Sequence, residues 1–298
     1  MSADSGAPPC AGPDPAPRRP RLALPPLACD CHAHILGPAS RFAYAPGRVY
    51  TPPDCLLPDY RAMLAALGVT RAVLVQPSVY GTDNTVLMGA LAEAGPAMRG
   101  VAVVDWQAGD AELDRLHAAG VRGVRVNVVD VKAGRGRLPM ERLRDLARRI
   151  APRGWHVELL LHVDEFPALD RDLADLGADV VFGHLGYMRT DRGGKDPGFL
   201  ALLRLLEAGR AWVKLTGPYR ISAQPMPHPD VVPFAHALLE AAPGRVLWGS
   251  DWPHVMVKGA MPNDGDLADL LAGWIPGESL RRAVLVDNPA RLYGFPPD

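Results

Sequence analysis

Leu27-Ala28-Cys29-Asp30-Cys31-His32-Ala33-His34 is the strand-like stretch from which the fold is read. Strand side chains alternate faces, which predicts His32 and His34 on one side together with Asp30, and Cys29, Cys31 and Ala33 on the other. Two imidazoles on one face can bind a metal or an anion, or can be ordinary polar residues on an exposed strand. The octapeptide alone does not separate these readings; the rest of the chain does.

Beyond it, the connection from Ile35 to Leu57 carries Phe42, Tyr44, Arg48 and Tyr50. It is too long and too aromatic for a turn and is expected to wall a pocket at the strand end. Pro58 then opens a helix with Tyr60, Met63, Leu64 and Leu67 on one face and Gly68 closing it. The run Arg71 to Gln76 is short, continuous and β-branched, as a strand buried on both faces is. The alternation repeats, with helices expected over 82–94, 110–119, 139–150, 166–176, 199–208 and 231–241, and strands over 100–105, 121–127, 155–161, 179–183, 211–215 and 245–249. With 27–34 and 71–76 this makes eight strands separated by helices. Parallel strands joined by right-handed crossovers close at that number into a (β/α)8 TIM barrel of the α/β class. An open doubly wound sheet would place a Gly-rich phosphate turn after the first strand, and none is present. One such barrel uses about 250 residues, so a single domain over 27–298 is expected, preceded by a disordered tail at 1–26, which is rich in Pro, Ala and Gly.

A hydrophobic fraction of 48% with 22% charged residues fits a soluble globular protein, and a net charge of -1 offers no basic field to nucleic acid or an anionic membrane. No stretch reaches the roughly 18 consecutive apolar residues of a membrane span, and the tail lacks the apolar run of a signal peptide. Small molecules are the expected partners. Cys10, Cys29, Cys31 and Cys55 form no CxxC pair, and Cys29 and Cys31 lie too close along a strand to bridge each other. Reduced thiols in a cytoplasmic protein are expected. Trp106 or Trp274, if exposed, would mark the contact surface of a homo-oligomer.

TIM-barrel active sites lie at the C-terminal strand ends. There the sequence gathers His32 and His34, Gln76 and Ser78, Asp105, Arg125 and Asn127, His162, His184, Thr216 and Asp251. Five motifs in order carry a more specific message: Cys-His-Ala-His-Ile-Leu-Gly-Pro at 31–38, Gly-His-Leu-Gly at 183–186, Thr-Gly-Pro-Tyr-Arg at 216–220, Leu-Trp-Gly-Ser-Asp-Trp-Pro-His at 247–254 and Asp-Asn-Pro-Ala-Arg-Leu-Tyr at 287–293. Together they resemble the amidohydrolase superfamily, amidohydrolase 2 type, and within it the branch of 2-pyrone-4,6-dicarboxylate lactonase and sugar-acid lactonases.

The resemblance implies that His32, His34, His184 and Asp251 form the catalytic set. Asp251 would take a proton from water while the imidazoles polarise the attacked carbonyl, directly or through one divalent metal held by the same four residues, with zinc as the first choice. Catalysis without a metal is equally compatible with it. No Lys ends the fourth strand to bridge two metals, and His162 is the remaining nearby imidazole. Arg125 and Arg220 match arginines that clamp substrate carboxylates, and Tyr50 and Ser78 match further substrate contacts. One departure is Tyr187, where the pyrone lactonases carry an arginine; the loop cations Arg189, Arg192 and Lys195 could compensate. The expected activity is opening of a lactone of a small carboxylic acid. A metal-dependent decarboxylase of the same superfamily and a non-catalytic ligand-binding barrel are the alternatives.

Overall fold

The computed structural model describes residues 6–129 and 137–296. Among these, parallel strands β1 (Cys29–Ala33), β2 (Arg71–Val75), β3 (Met98–Ala102), β4 (Val121–Asn127), β5 (His156–Leu160), β6 (Val180–Phe182), β7 (Ala211–Leu215) and β8 (Val246–Trp248) pair in sequence order. Closure comes just past β8, where Ala33 and Trp252 form a parallel bridge, the His34 N–H donates to the Trp252 carbonyl at 2.8 Å and the Asp251 N–H donates to the His32 carbonyl at 2.9 Å. The TIM barrel read from the sequence is therefore present.

Between strands run α1 (Leu57–Leu67), α2 (Thr85–Ala94), α3 (Asp110–Ala118), α4 (Met140–Ile150), the short α5 (Leu169–Asp172), α6 (Pro197–Glu207) and α7 (Val232–Ala241). Helix α1 buries Tyr60, Met63, Leu64 and Leu67 at the expected spacing and ends at Gly68 with φ 74°. Helix α6 starts where the Asp196 carboxylate accepts the Gly198 and Phe199 N–H groups, with Pro197 at the first helical position.

Two expectations need correction. The helix expected over 166–176 shrinks to the four residues of α5, preceded by a 3-10 turn at Val163–Glu165. Strand β3 ends at Ala102 because the Asn84 side chain takes both backbone groups of Val103, accepting its N–H at 3.1 Å and donating to its carbonyl at 2.8 Å. That turns Asp105 into a loop, where it accepts the Gln107 N–H. Among the described residues the tail, 6–26, forms no helix or strand, in keeping with the expected tail, and it touches the rest of the chain at several points. Pro9 bridges to Thr51, the Asn263 amide donates to Asp14 and to the Ala16 carbonyl, and the Leu22 N–H donates to Asp269 at 2.9 Å. Proline lowers the entropy lost when such a segment is fixed, which lets a few hydrogen bonds hold it.

After β8 the chain adds α8 (Asp264–Asp269), α9 (Leu271–Trp274), α10 (Glu278–Arg282), a π turn and α11 (Asn288–Tyr293). The Asn288 amide donates to the Pro243 and Val246 carbonyls, which gives the 287–293 motif a structural task at the foot of β8. Trp274 is buried in this packing, so it marks no contact surface. Cys10, Cys29, Cys31 and Cys55 are free thiols, as expected.

The opening strand departs from simple alternation. Asp30 pairs with Ala72, yet Ala33 pairs with Leu74, so one extra residue is bulged into β1. Cys29 and Cys31 pack with Val73, Val101, Val181 and Leu247, side chains from strands as far apart as β2, β3, β6 and β8 that meet inside the barrel. After the bulge His32 and His34 also face inward. Asp30 points the other way, toward α1, so the expectation that it shares their face is wrong.

Candidate active site

Four of the predicted residues meet at the C-terminal rim. His32 Nε2 lies 3.8 Å and His184 Nε2 4.0 Å from Asp251 Oδ1, and the His32 ring centroid is 5.1 Å from that of His34 and 5.0 Å from that of His184. All four are buried. His32 Nε2 and the Asp251 Oδ1 it faces have no hydrogen-bond partner among the described residues, and neither does the other ring nitrogen of His184, Nδ1. The backbone is strained to hold them: φ is 49° at His184 and 68° at Asp251, neither of them glycine.

Each imidazole has a defined electrostatic state. Burial above all holds His32 below and His34 and His184 well below the usual imidazole range, against the opposing pull of Asp251, so they are neutral at pH 7. His34 Nδ1 is 2.7 Å from the Val75 carbonyl, which can only accept. Its one proton therefore sits on Nδ1, and Nε2 presents a lone pair. This corrects the expectation that His34 polarises a carbonyl directly. Burial would raise the Asp251 carboxyl, but the Arg220 guanidinium beside it outweighs this and holds it well below the usual carboxylate range.

Around the cluster lies a set of groups that motif reading passed over. Beneath His32, inside the barrel, Lys214 Nζ sits 3.3 Å from His32 Nδ1 and 2.5 Å from Glu158 Oε2, while Glu158 Oε1 is 3.4 Å from the same Nδ1. His32 thus finds a donor or an acceptor for Nδ1 in either tautomer. Both Glu158 and Lys214 interrupt apolar strand runs, and that interruption was the available signal. Asp30 secures the strand joint instead of facing the site: it accepts from the Ser250 N–H and hydroxyl, the His32 N–H and the Tyr60 hydroxyl. Burial nevertheless pushes its carboxyl up to about 6. On the far side of Asp251, Oδ2 accepts from Tyr219 Oη and from Arg220 Nε, both at 2.6 Å.

The mouth above the cluster is a small cavity of about 70 Å³, and Tyr50, Ser78, Arg125, Asn127, Tyr187 and Arg220 are among the residues lining it with His34, His184 and Asp251. All five substrate-contact candidates are therefore at one place. Arg220, expected to clamp a substrate acid, also donates from Nε to Asp251 and from Nη2 to the Val255 carbonyl, contacts that orient the carboxylate. Arg125 donates from Nη1 to the Gln76 carbonyl, and its Nε has no partner among the described residues. His162 turns away from the cluster, with Nδ1 3.0 Å from the Tyr187 carbonyl and its ring against the Tyr187 ring, so it supports Tyr187 and is no ligand. Arg189 and Arg192 pair with Asp191 and Asp164 on the surface and do not compensate in the pocket. A larger groove of about 630 Å³, lined in part by Asp105, Trp106 and Arg142, holds none of the cluster.

A (β/α)8 barrel whose first and sixth strands turn imidazoles toward a carboxylate after the eighth has the groups needed to move protons at a carbonyl held at the rim. The amidohydrolase family model matches residues 29–295, and the chain belongs to that family. It is 39% identical over 292 residues to a 4-sulfomuconolactone hydrolase of Rhizobium radiobacter, covering 97% of each chain. It is also 39% identical over 286 residues to a 2-pyrone-4,6-dicarboxylate hydrolase of Comamonas testosteroni, covering 93% of each. Among solved structures, an apo protein of Agrobacterium tumefaciens superposes with a TM-score of 0.83 at 29% identity, over 94% of this chain and 100% of that one.

Proposed function

We propose that the protein hydrolyses the lactone ring of a small anionic substrate, with Asp251 as the base. The observation that carries this reading is the unpartnered Asp251 Oδ1 facing His32 and His184. Full-length similarity to two hydrolases named for a sulfonated and a dicarboxylated lactone supports the substrate class. Because its carboxyl titrates so low, Asp251 is ionised across the neutral range and is a weak base. It therefore takes the proton as water attacks the carbonyl carbon, when the attacking water has become acidic. The developing oxyanion is met by His32 Nε2–H, the tautomer that Lys214 favours by donating to Nδ1, and by His184. As the ring C–O bond breaks, the departing oxygen recovers the proton from Asp251. Arg125 holds the substrate's anionic group at the opposite side of the mouth.

The same residues fit one divalent cation. His32, His34 and Asp251 offer ligand atoms within 4.8 Å of one another, His34 Nε2 is free to bind, and Glu158 can accept the Nδ1 proton of a ligating His32. Zinc suits this donor set, and bound there it would supply Lewis-acid polarisation of the carbonyl.

The test is Asp251→Asn, assayed on a panel of anionic lactones with and without chelator, alongside elemental analysis of the protein. Turnover is expected to fall by about 10³-fold or more with the circular dichroism unchanged. Wild-type turnover in this variant would remove Asp251 from the mechanism, and carbon dioxide release in place of ring opening would identify a decarboxylase. Loss of activity to chelator with stoichiometric metal would assign the metal-bound form.

A further inference from the structure

Behind Asp251 runs a buried chain of side chains that the mechanism above does not use. Tyr219 Oη is 2.6 Å from Asp251 Oδ2 and 2.9 Å from His254 Nδ1, and His254 Nε2 is 3.1 Å from Asp264 Oδ1. His254 and Asp264 are both fully enclosed. Tyr219 has one proton and two neighbours able to take it. The Asp251 oxygen can only accept, and at 2.6 Å two bare oxygens would repel, so the hydroxyl proton lies in that bond. Tyr219 Oη then has only lone pairs to offer His254, and Nδ1 must be the donor. Asp264 faces the opposite nitrogen and shares a further proton with it, which compensates its own buried charge. The φ of 59° at His254 is a second strained non-glycine position three residues after Asp251.

We infer that His254, anchored by Asp264, is a positioning residue that commits the Tyr219 proton to Asp251 Oδ2. With Oδ2 pinned by Tyr219 and Arg220, the carboxylate cannot rotate, and Oδ1 alone is left to water. The inference rests on Asp251 being the base. It predicts that His254 acts only through the Tyr219 hydroxyl, which a general packing role would not.

The experiment is a double-mutant cycle on kcat and KM for lactone opening, with Tyr219→Phe, His254→Gln and the pair. Each single variant is expected to lower kcat about 10- to 100-fold with KM changed less than about 3-fold, and His254→Gln is expected to cost less than about 2-fold once Tyr219 is Phe. Additive losses, or wild-type kcat in the single variants, overturn the inference. If the variants fail to fold, ¹⁵N-histidine NMR of the wild-type protein at neutral pH still decides: a protonated Nδ1 on His254 is expected, and a bare Nδ1 overturns it. Should Asp251→Asn itself retain activity, the proposed function fails; should Asp251→Asn be inactive while His254→Gln and Tyr219→Phe are not, only this inference fails.

Discussion

Gly217 shows how little room the catalytic cluster leaves. A Cβ there would lie 2.8 Å from Asp251 Oδ2, 3.0 Å from His184 Nδ1 and 3.2 Å from Arg220 Cδ, at a φ of 58° that side chains rarely adopt. Gly217→Ala is therefore expected to lower kcat by about 10-fold or more by displacing the carboxylate, as read by steady-state kinetics, with a loss of about 1–2 kcal/mol in urea unfolding. Retention of wild-type kcat would show that the cluster tolerates movement. At this scale the sequence reveals residue type and strand-end position, enough to single out His32, His34, His184 and Asp251. It does not reveal which partner a charge will meet. Arg220 sits in the expected motif and at the expected mouth, yet its guanidinium belongs to Asp251, because only the three-dimensional path of the loop after β7 sets that 2.6 Å contact.

Among the elements, β5 and β7 carry the most consequential pair, Glu158 and Lys214, both essentially inaccessible to solvent. Burial would raise the Glu158 carboxyl, but Lys214 and His32 hold it well below its usual range, so it is charged and depends on its neighbour. Lys214→Met is expected to destabilise the fold by about 3–5 kcal/mol, because it strands a buried carboxylate. Adding Glu158→Gln should recover much of that stability while activity stays low, since His32 has lost the Lys214 donor and the carboxylate charge beside Nδ1. Equal stability of Lys214→Met and wild type in urea denaturation would refute the dependence. Strand positions were legible here because buried parallel strands are continuous apolar runs. The β1 bulge was not legible, since alternation rules assume an uninterrupted ladder and nothing in Cys31-His32 marks an extra residue. Nor was the end of β3, which is decided by Asn84 from a separate helix cap.

For the whole molecule, the eightfold alternation of strand and helix is legible in the sequence, because each repeat carries its own punctuation in Gly, Pro and apolar spacing. What lies outside that repeat was much less readable. The helices from α8 to α11 cover the barrel in short pieces without strong periodicity. Residues 6–26 looked like a chain with too little apolar content to settle anywhere, yet they lie against two segments tied to the site. One is Thr51, beside the pocket residue Tyr50; the other is Asn263, beside Asp264, which pairs with His254 behind Asp251.

That arrangement makes the N-terminal strap a lever on activity at a distance from any reacting atom. Removing residues 1–20 is expected to leave the barrel folded but to raise KM several-fold by slackening the segment that carries Tyr50; an unchanged KM would make the strap a passive covering. Proteolytic nicking or a bulky fusion at that end would then register in the assay as impaired turnover, although every group that touches substrate is intact.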